Sequence, residues 1–296
     1  MRKNPFHKLI IGVLVLTAAI ICINTVTVKG SSPSTIENES IAVPIIMYHG
    51  VKLSNPGRDV ITPAEFENDL KYLKSCNYTT ITMTDLINYV DGKIELPEKP
   101  IILSFDDGYY NDYVYAYPLL KKYHMKIVLS IIGKSTDDFS RVIDVNLNYS
   151  HVTWGQINEM MQSGLVEIQN HTYNMHSITR SRVGCQRNKG ETLSHYETAL
   201  TEDINKLQKE IELKTGSLPN TFTYPYGKAC EESYPIIKKL GFRASLTCDW
   251  GVNVITKNPE NLYDLKRIGR QHGTSLQAAL QKAMKNLKFS KSTQNS

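Results

Sequence analysis

Strand-like and helix-like segments alternate along most of this chain. The strand candidates are short apolar stretches at Val43–Met47, Thr79–Thr82, Pro100–Phe105, Lys126–Ile132, Val166–Gln169, Thr221–Tyr224 and Arg243–Leu246. Helix-capping signals lie between them at Thr62-Pro63-Ala64-Glu65, Thr153-Trp154-Gly155-Gln156 and Ser194-His195-Tyr196-Glu197. Such regular β-α alternation predicts a parallel sheet covered by helices, either open or closed into a barrel.

The length and the composition limit the number of domains to one or two. With 296 residues and 41% apolar content, the chain is long enough for one domain of α/β-barrel size or for two small ones. We predict an N-terminal segment over residues 1–30, a polar linker over 31–42, the main domain over 43–288 and a polar tail over 289–296.

The N-terminal segment predicts export. Leu9–Val26 is almost unbroken apolar sequence, and Arg2, Lys3 and Lys8 precede it. Eighteen such residues are just long enough to span a bilayer, and basic residues favour the cytoplasmic side. We therefore predict an uncleaved membrane anchor that holds the body outside a bacterial cell. The alternative is a cleaved signal peptide, which would release a secreted enzyme.

The charge distribution argues against a nucleic-acid partner. Four of the 34 basic residues lie in the first thirty positions, so the remainder carries 30 basic and 29 acidic residues. It shows no basic stripe with interleaved aromatic residues. We expect a monomer.

Four cysteines lie beyond the N-terminal segment, and their spacing matches no zinc-binding pattern. The sequence allows either disulfides or free thiols at Cys76, Cys185, Cys230 and Cys248.

A pair of acids directly follows one predicted strand. Asp106-Asp107-Gly108 comes after the apolar run Ile101–Phe105. Adjacent carboxylates repel each other, so one of them usually needs a cation, and His171 and His176 are candidate metal ligands downstream. The residues alone equally allow a helix cap at Asp106 followed by a turn.

Five segments in order resemble the NodB-type polysaccharide deacetylases (carbohydrate esterase family four). They are Met47-Tyr48-His49-Gly50-Val51, Ser104-Phe105-Asp106-Asp107-Gly108, His171 to His176, Phe222-Thr223-Tyr224-Pro225-Tyr226-Gly227 and Leu265-Lys266-Arg267-Ile268. The resemblance covers roughly residues 43 to 287. It implies an irregular (β/α) barrel with seven or eight parallel strands, whose chemistry collects at the carboxyl ends of the strands.

The resemblance also implies a metal site. Asp107, His171 and His176 would hold a divalent ion, for which we expect zinc, while cobalt, nickel and manganese suit the same ligands. The two histidines are five residues apart, where many members space them by four. Five residues predict a loop or a bulged turn between them.

The same resemblance assigns the catalytic roles. Asp106 would be the base, and Tyr226 would donate its backbone N–H to the oxyanion. The closing motif lacks the usual histidine, so we predict His49 as the proton donor and regard His272 as a weaker candidate on the surface. Thr223 replaces an arginine that tunes the base in many members.

We therefore expect a metal-dependent polysaccharide N-deacetylase that acts on a cell-surface polysaccharide of N-acetylglucosamine, the substrate being a secreted polymer, peptidoglycan or a chitin-like chain. The alternatives are an O-acetyl esterase on a glycan, whose leaving group needs less protonation, and a catalytically inactive carbohydrate-binding barrel. The tyrosines from Tyr109 to Tyr117 are expected in the core rather than on a sugar-binding platform.

Overall fold

The computed structural model describes residues 40–54 and 56–294, with side chains to residue 287. The predicted anchor at Leu9–Val26 and most of the predicted linker lie outside these residues. Among the described residues, no helix combines the length and the apolar character needed to cross a membrane.

The described part of the chain contains twelve short strands. They are β1 (Ile41–Val43), β2 (Ile45–Tyr48), β3 (Gly50–Val51), β4 (Val60–Ile61), β5 (Thr79–Thr80), β6 (Pro100–Asp107), β7 (Ile127–Ile131), β8 (Val166–Asn170), β9 (Thr221–Thr223), β10 (Ala244–Leu246), β11 (Asn253–Ile255) and β12 (Ile268–Gly269).

Helices fill the connections between the strands. The α-helices of the described residues are α1 (Pro63–Ser75), α2 (Met83–Val90), α3 (Tyr117–Tyr123), α4 (Gly133–Arg141), α5 (Trp154–Gln162), α6 (Leu193–Thr215), α7 (Ser233–Lys239) and α8 (Leu276–Gln294). A π-helical turn at Asp112–Ala116 leads into α3, and 3-10 turns occur at Pro225–Gly227 and Pro259–Leu262.

The main sheet is parallel, as the β-α alternation predicts. Seven strands lie in the order β10-β9-β8-β7-β6-β2-β12, and β5 pairs with the first residues of β6. The Leu265 N–H donates to Ser245 at 2.9 Å and the Thr247 N–H donates to Leu265 at 3.0 Å. The segment that runs into β12 therefore also bonds to the end of β10 and connects the two edges of the sheet. This half-barrel is consistent with the expected (β/α) barrel.

The central strand β6 carries the acid pair into the core. All eight of its residues are buried. The sequence predicts an end at Phe105, whereas the ladder continues until Asp106 pairs with Ser130 and Asp107 with Ile131. The two carboxylates therefore belong to the strand itself, and paired backbone fixes their positions.

Local signals place most helix starts correctly. Thr62 and Thr153 form capping boxes at the starts of α1 and α5, as predicted. The predicted cap at Ser194 is wrong: α6 begins at Leu193, and Thr192 is its cap because its hydroxyl accepts a hydrogen bond from the His195 N–H. Helix α8 continues to Gln294, so most of the predicted polar tail has a helical backbone.

The predicted first strand is divided in two. Pro44 separates β1 from β2, because proline has no N–H to contribute to a ladder. Strand β1 instead pairs antiparallel with β11, outside the main sheet. The carbonyl of Pro44 still accepts a hydrogen bond from Ile102 at 3.0 Å, which keeps β2 in register with β6.

Candidate active site

The predicted site residues follow four strands of the sheet. Asp106 and Asp107 end β6, His171 follows β8, Tyr226 lies in the turn after β9, and His49 follows β2. The strands are parallel, so these positions lie at one edge of the half-barrel. Carboxyl ends of parallel strands are the usual place for chemistry in such folds.

Asp107, His171 and His176 come together in space. Asp107 Oδ1 lies 3.4 Å from His171 Nε2 and 3.2 Å from His176 Nε2. One ligand atom from each residue lies within 4.8 Å of the others. The segment between the two histidines is a loop, which suits their five-residue spacing.

The surroundings of His171 orient it as a ligand. Its Nδ1 lies 2.7 Å from the Thr223 carbonyl, which can only accept, so Nδ1 carries the proton. In neutral His171 the Nε2 lone pair then faces Asp107 Oδ1, which is buried without a hydrogen-bond partner. Two electron-rich atoms facing each other in the interior need a cation between them, and a divalent metal fits this donor set.

The pKa values of His176 and Asp107 follow from burial and from the neighbouring side chains. Burial and the neighbouring His171 lower the pKa of His176 to about 4, so its imidazole is neutral at pH 7 and can offer a lone pair. Burial raises the pKa of Asp107, but the neighbouring imidazoles of His171 and His176 outweigh it and lower the pKa below its usual value. Asp107 is therefore ionised, as a metal ligand must be.

The backbone around Asp107 is unusual. Asp107 has a φ of 71° and Thr172, next to His171, also has a φ of 71°. Left-handed conformations at such residues are uncommon and cluster at functional sites. The Asn170 side chain supports the second of these turns by accepting the Thr172 N–H at 2.9 Å.

Asp106 has a different partner, which the sequence analysis missed. Arg267 Nη1 donates to Asp106 Oδ1 at 2.7 Å and Nη2 donates to Oδ2 at 2.8 Å, with both side chains buried. Burial raises the pKa of Asp106, but the Arg267 guanidinium and nearby histidines outweigh it and hold the pKa well below its usual range. Asp106 is therefore ionised and fixed in orientation.

Arg267, rather than Thr223, is the residue that contacts Asp106. The Thr223 hydroxyl lies 2.7 Å from that of Ser130 and does not reach the acid pair. Arg267 comes from the closing motif and also donates to the Thr247 carbonyl through Nε at 2.7 Å. The available signal was the arginine inside the family-like segment Leu265-Lys266-Arg267-Ile268.

The turn after β9 presents the backbone of Tyr226. Tyr226 has a φ of 57°, and its N–H finds no backbone acceptor among the described residues. Its ring centroid lies 4.5 Å from that of His176. Gly227 is required next to it, because a Cβ there would lie 2.3 Å from the Cys248 nitrogen.

His49 directly follows β2, the strand that pairs with β6. It lines a cleft of ≈ 590 Å³ together with Arg267, Cys248 and Trp250. Its charge contributes to lowering the pKa of Asp106. His272 instead bonds Glu65 on α1 at 2.8 Å with 42% of its side chain exposed, which suits the surface position expected for it.

Most of the tyrosine run is structural. Tyr110, Tyr113 and Tyr117 stack in a row with centroid distances of 6.1 and 5.8 Å, and Tyr117 is buried in the core. Tyr109 differs, since burial and the Asp107 carboxylate raise its pKa to about 12.

The cysteines of the described region are free thiols: Cys76, Cys185, Cys230 and Cys248.

Comparison with known proteins gives consistent matches. The family model described as polysaccharide deacetylase matches residues 93–245. One curated relative, the poly-beta-1,6-N-acetyl-D-glucosamine N-deacetylase of Staphylococcus aureus strain MRSA252, is 27% identical over 204 residues, which are 69% of this chain and 65% of the relative. The protein of the same name from strain MSSA476 is 23% identical over 280 residues, which are 89% of this chain and 91% of the relative.

Solved structures share the fold. A de-N-acetylase from Aggregatibacter actinomycetemcomitans has a TM-score of 0.71 at 25% identity, covering 82% of this chain and 99% of that one. The Streptococcus pyogenes deacetylase PplD has a TM-score of 0.67 at 20% identity, covering 83% of this chain and 99% of that one.

Proposed function

The chain belongs to the polysaccharide deacetylase family, and from this premise we propose that it is a metal-dependent hydrolase that removes N-acetyl groups from a cell-surface polysaccharide containing N-acetylglucosamine. One observation carries the proposal. The buried Asp107 Oδ1 faces two imidazole nitrogens beside a second carboxylate, Asp106, that Arg267 keeps ionised.

The chain's own residues supply distinct parts of the reaction. Asp107, His171 and His176 would hold a divalent metal, which when bound would polarise the acetyl carbonyl and lower the pKa of an attacking water. Asp106 accepts the proton of that water. The Tyr226 N–H, which has no backbone acceptor among the described residues, donates to the oxyanion.

Departure of the amine requires a proton, and His49 is the donor that we propose. It lies in the cleft with Arg267, the partner of Asp106. An amine leaves poorly without protonation, whereas the leaving group of an ester needs less help. A histidine in this position therefore favours amide cleavage over the O-acetyl esterase reading.

The relatives support the substrate class. The two Staphylococcus aureus proteins are named for N-deacetylation of poly-beta-1,6-N-acetyl-D-glucosamine. We propose the same class of polymer here, acted on outside a bacterial cell, with the enzyme held at the membrane by Leu9–Val26. The apolar character of that segment and the basic residues before it support this location.

Acetate release from a panel of glycans tests the function. Full-length protein in detergent would be assayed on secreted poly-N-acetylglucosamine, chitin oligomers, peptidoglycan strands and O-acetylated xylan. We expect release from the first, loss of activity on chelation, and recovery with zinc, cobalt, nickel or manganese. Release from xylan alone would support the esterase, and no release from any glycan with any metal would contradict the proposal.

A double variant tests the two proposed histidine ligands. The double variant His171→Ala with His176→Ala should lose the bound ion, because three protein ligands are needed for an open catalytic site. Metal analysis of the purified double variant is the measurement. Stoichiometric retention of metal would remove these histidines from the proposed site.

A further inference from the structure

The cleft that contains His49 lies beside the candidate active site, because Arg267 both lines it and bonds Asp106. It runs from Arg267 and Met47 to the start of α8, with a volume of ≈ 590 Å³. Ligand sites that bury a molecule of several hundred daltons have volumes of roughly 300–1,000 Å³. The cleft is therefore large enough to hold a sugar ring.

One wall of the cleft carries an exposed tryptophan. Trp250 is 43% exposed. The chain has two tryptophans, and the other, Trp154, is 7% exposed and donates its indole N–H to Asp137 at 2.8 Å. An exposed indole on a cleft wall offers a flat apolar surface with a polar edge, which matches the apolar face and hydroxyl rim of a pyranose.

The opposite wall belongs to α8. Ala278 and Ala279 leave the space open, and Lys282 places its ammonium 5.6 Å from the Trp250 ring centroid. The indole ring of Trp250 and the ammonium of Lys282 can therefore contact the same sugar.

The charges in the cleft are mostly compensated. Arg58 pairs with Asp59 at 3.1 Å, and Arg267 pairs with Asp106 at 2.7 Å. Lys282 differs from them, since it contacts the Trp250 ring and forms no ion pair with the described residues. The α8 wall thus carries an uncompensated positive charge.

We propose that this cleft binds the sugar next to the one being deacetylated and selects a neutral, N-acetylated sugar there. Trp250 covers the apolar face of that sugar, and the Lys282 ammonium donates to one of its oxygens. A sugar that has already lost its acetyl group carries an ammonium, which Lys282 repels. The enzyme therefore leaves deacetylated sugars separated along the polymer. This inference rests on the proposed function.

Tryptophan fluorescence tests the binding part without turnover. Full-length protein in detergent, treated with a chelator, would be titrated with β-1,6-linked N-acetylglucosamine oligomers and with the same oligomers fully deacetylated, at about pH 6, where the free amine is protonated. We expect an emission change with the acetylated oligomers only, and its loss in Trp250→Phe, since Trp154 is buried. Equal responses to both oligomers would overturn the proposal.

Kinetics test the selection. Two trisaccharides would be compared, one fully acetylated and one whose neighbouring sugar is a free amine. Repulsion between the Lys282 ammonium and the sugar ammonium predicts that wild type prefers the first trisaccharide by about threefold to tenfold in kcat/KM. Lys282→Gln should remove this preference. The control Lys285→Gln, exposed on the same helix outside the cleft, should keep it. A preference unchanged in Lys282→Gln would overturn the selection.

The outcomes distinguish this inference from the proposed function. Acetate release from the polymer with no fluorescence response and no dependence on Trp250 would overturn the subsite and leave the function standing. A fluorescence response restricted to acetylated oligomers, with no acetate released by the metal-loaded enzyme, would support the subsite and contradict the function.

Discussion

Asp106 and Asp107 are adjacent in the chain but meet opposite surroundings. The side chain of Asp106 is held by two hydrogen bonds from Arg267, while that of Asp107 faces the imidazoles of His171 and His176. Successive residues of a strand point to opposite sides, so one short segment can serve two functions. This geometry makes the two acids separable by mutation.

Asp106→Asn is expected to keep the metal and to lose deacetylation by about two to four orders of magnitude, the usual contribution of a positioned general base. Asp107→Asn should lose metal and activity together, because an amide is a poor ligand. Metal content and acetate release measured on the same samples check both. Since Arg267 is left with a neutral partner in Asp106→Asn, thermal unfolding is recorded as well. A fully active Asp106→Asn variant would contradict the assignment of the pair.

His49→Ala tests the proton donor. If His49 protonates the leaving amine, kcat/KM should fall far more on an amide than on an activated acetyl ester, whose leaving group needs no proton. The comparison uses one enzyme preparation and both substrates. His272→Ala is the control, because His272 bonds Glu65 and lies outside the proposed mechanism. Equal losses on amide and ester would exclude His49 from this role.

At the scale of single elements, the turn after β9 depends on Gly227. Its φ is 64°, and a methyl group there would overlap the Cys248 backbone. Gly227→Ala should therefore displace Tyr226 and lower kcat by about tenfold or more, while bound metal shows whether the neighbouring His176 is disturbed as well. Metal analysis and kinetics on the variant check this, and an unchanged kcat would show that the turn does not position the oxyanion donor.

Glu65 joins the start of α1 to the segment after β12. Partial burial raises its pKa, but hydrogen bonds from Thr62, Gly273 and His272 outweigh it and lower the pKa to about 2. The folded-state pKa lies below the usual 4.5, so the carboxylate stabilises the fold above pH 4.5, and this stabilisation is lost as the pH falls towards 2.

Glu65→Gln should therefore lower the free energy of unfolding by about 1 kcal/mol at pH 7. The difference from wild type should shrink as the pH falls below 4.5 towards 2. Denaturant unfolding at several pH values measures it. A difference that stays constant with pH would mean that the charge of Glu65 does not contribute. Glu95→Gln, a variant at an exposed acid, provides the control.

At the scale of the whole molecule, the near-neutral body contrasts with the apolar N-terminal segment. We expect the protein to fractionate with membranes and a form without residues 1–30 to be soluble, because Leu9–Val26 is just long enough to span a bilayer. Fractionation and mass spectrometry of the native protein check this. A mature N-terminus near Ser31 would show that the segment is cleaved and that the enzyme is secreted.

Sequence patterns predict the parallel β-α arrangement, the order of the motifs and the identity of most candidate site residues. These features are local: a short apolar run predicts a strand, a capping box predicts a helix start, and a motif consists of neighbouring residues. The acid pair, both histidines, His49 and Tyr226 could therefore be named before any contact was known. Their catalytic and metal-binding roles stay predictions.

The side chains that share a pocket could not be predicted from sequence patterns, because they come together through tertiary packing. Arg267 lies 161 residues from Asp106, and the two meet because the segment before β12 connects both edges of the sheet. The cleft between Trp250 and Lys282 likewise forms where a loop packs near a helix, and no local sequence pattern predicts this packing. Periodicity reports which face of an element is buried, whereas partners across the core depend on strand order and closure, which arise only when the whole sheet assembles.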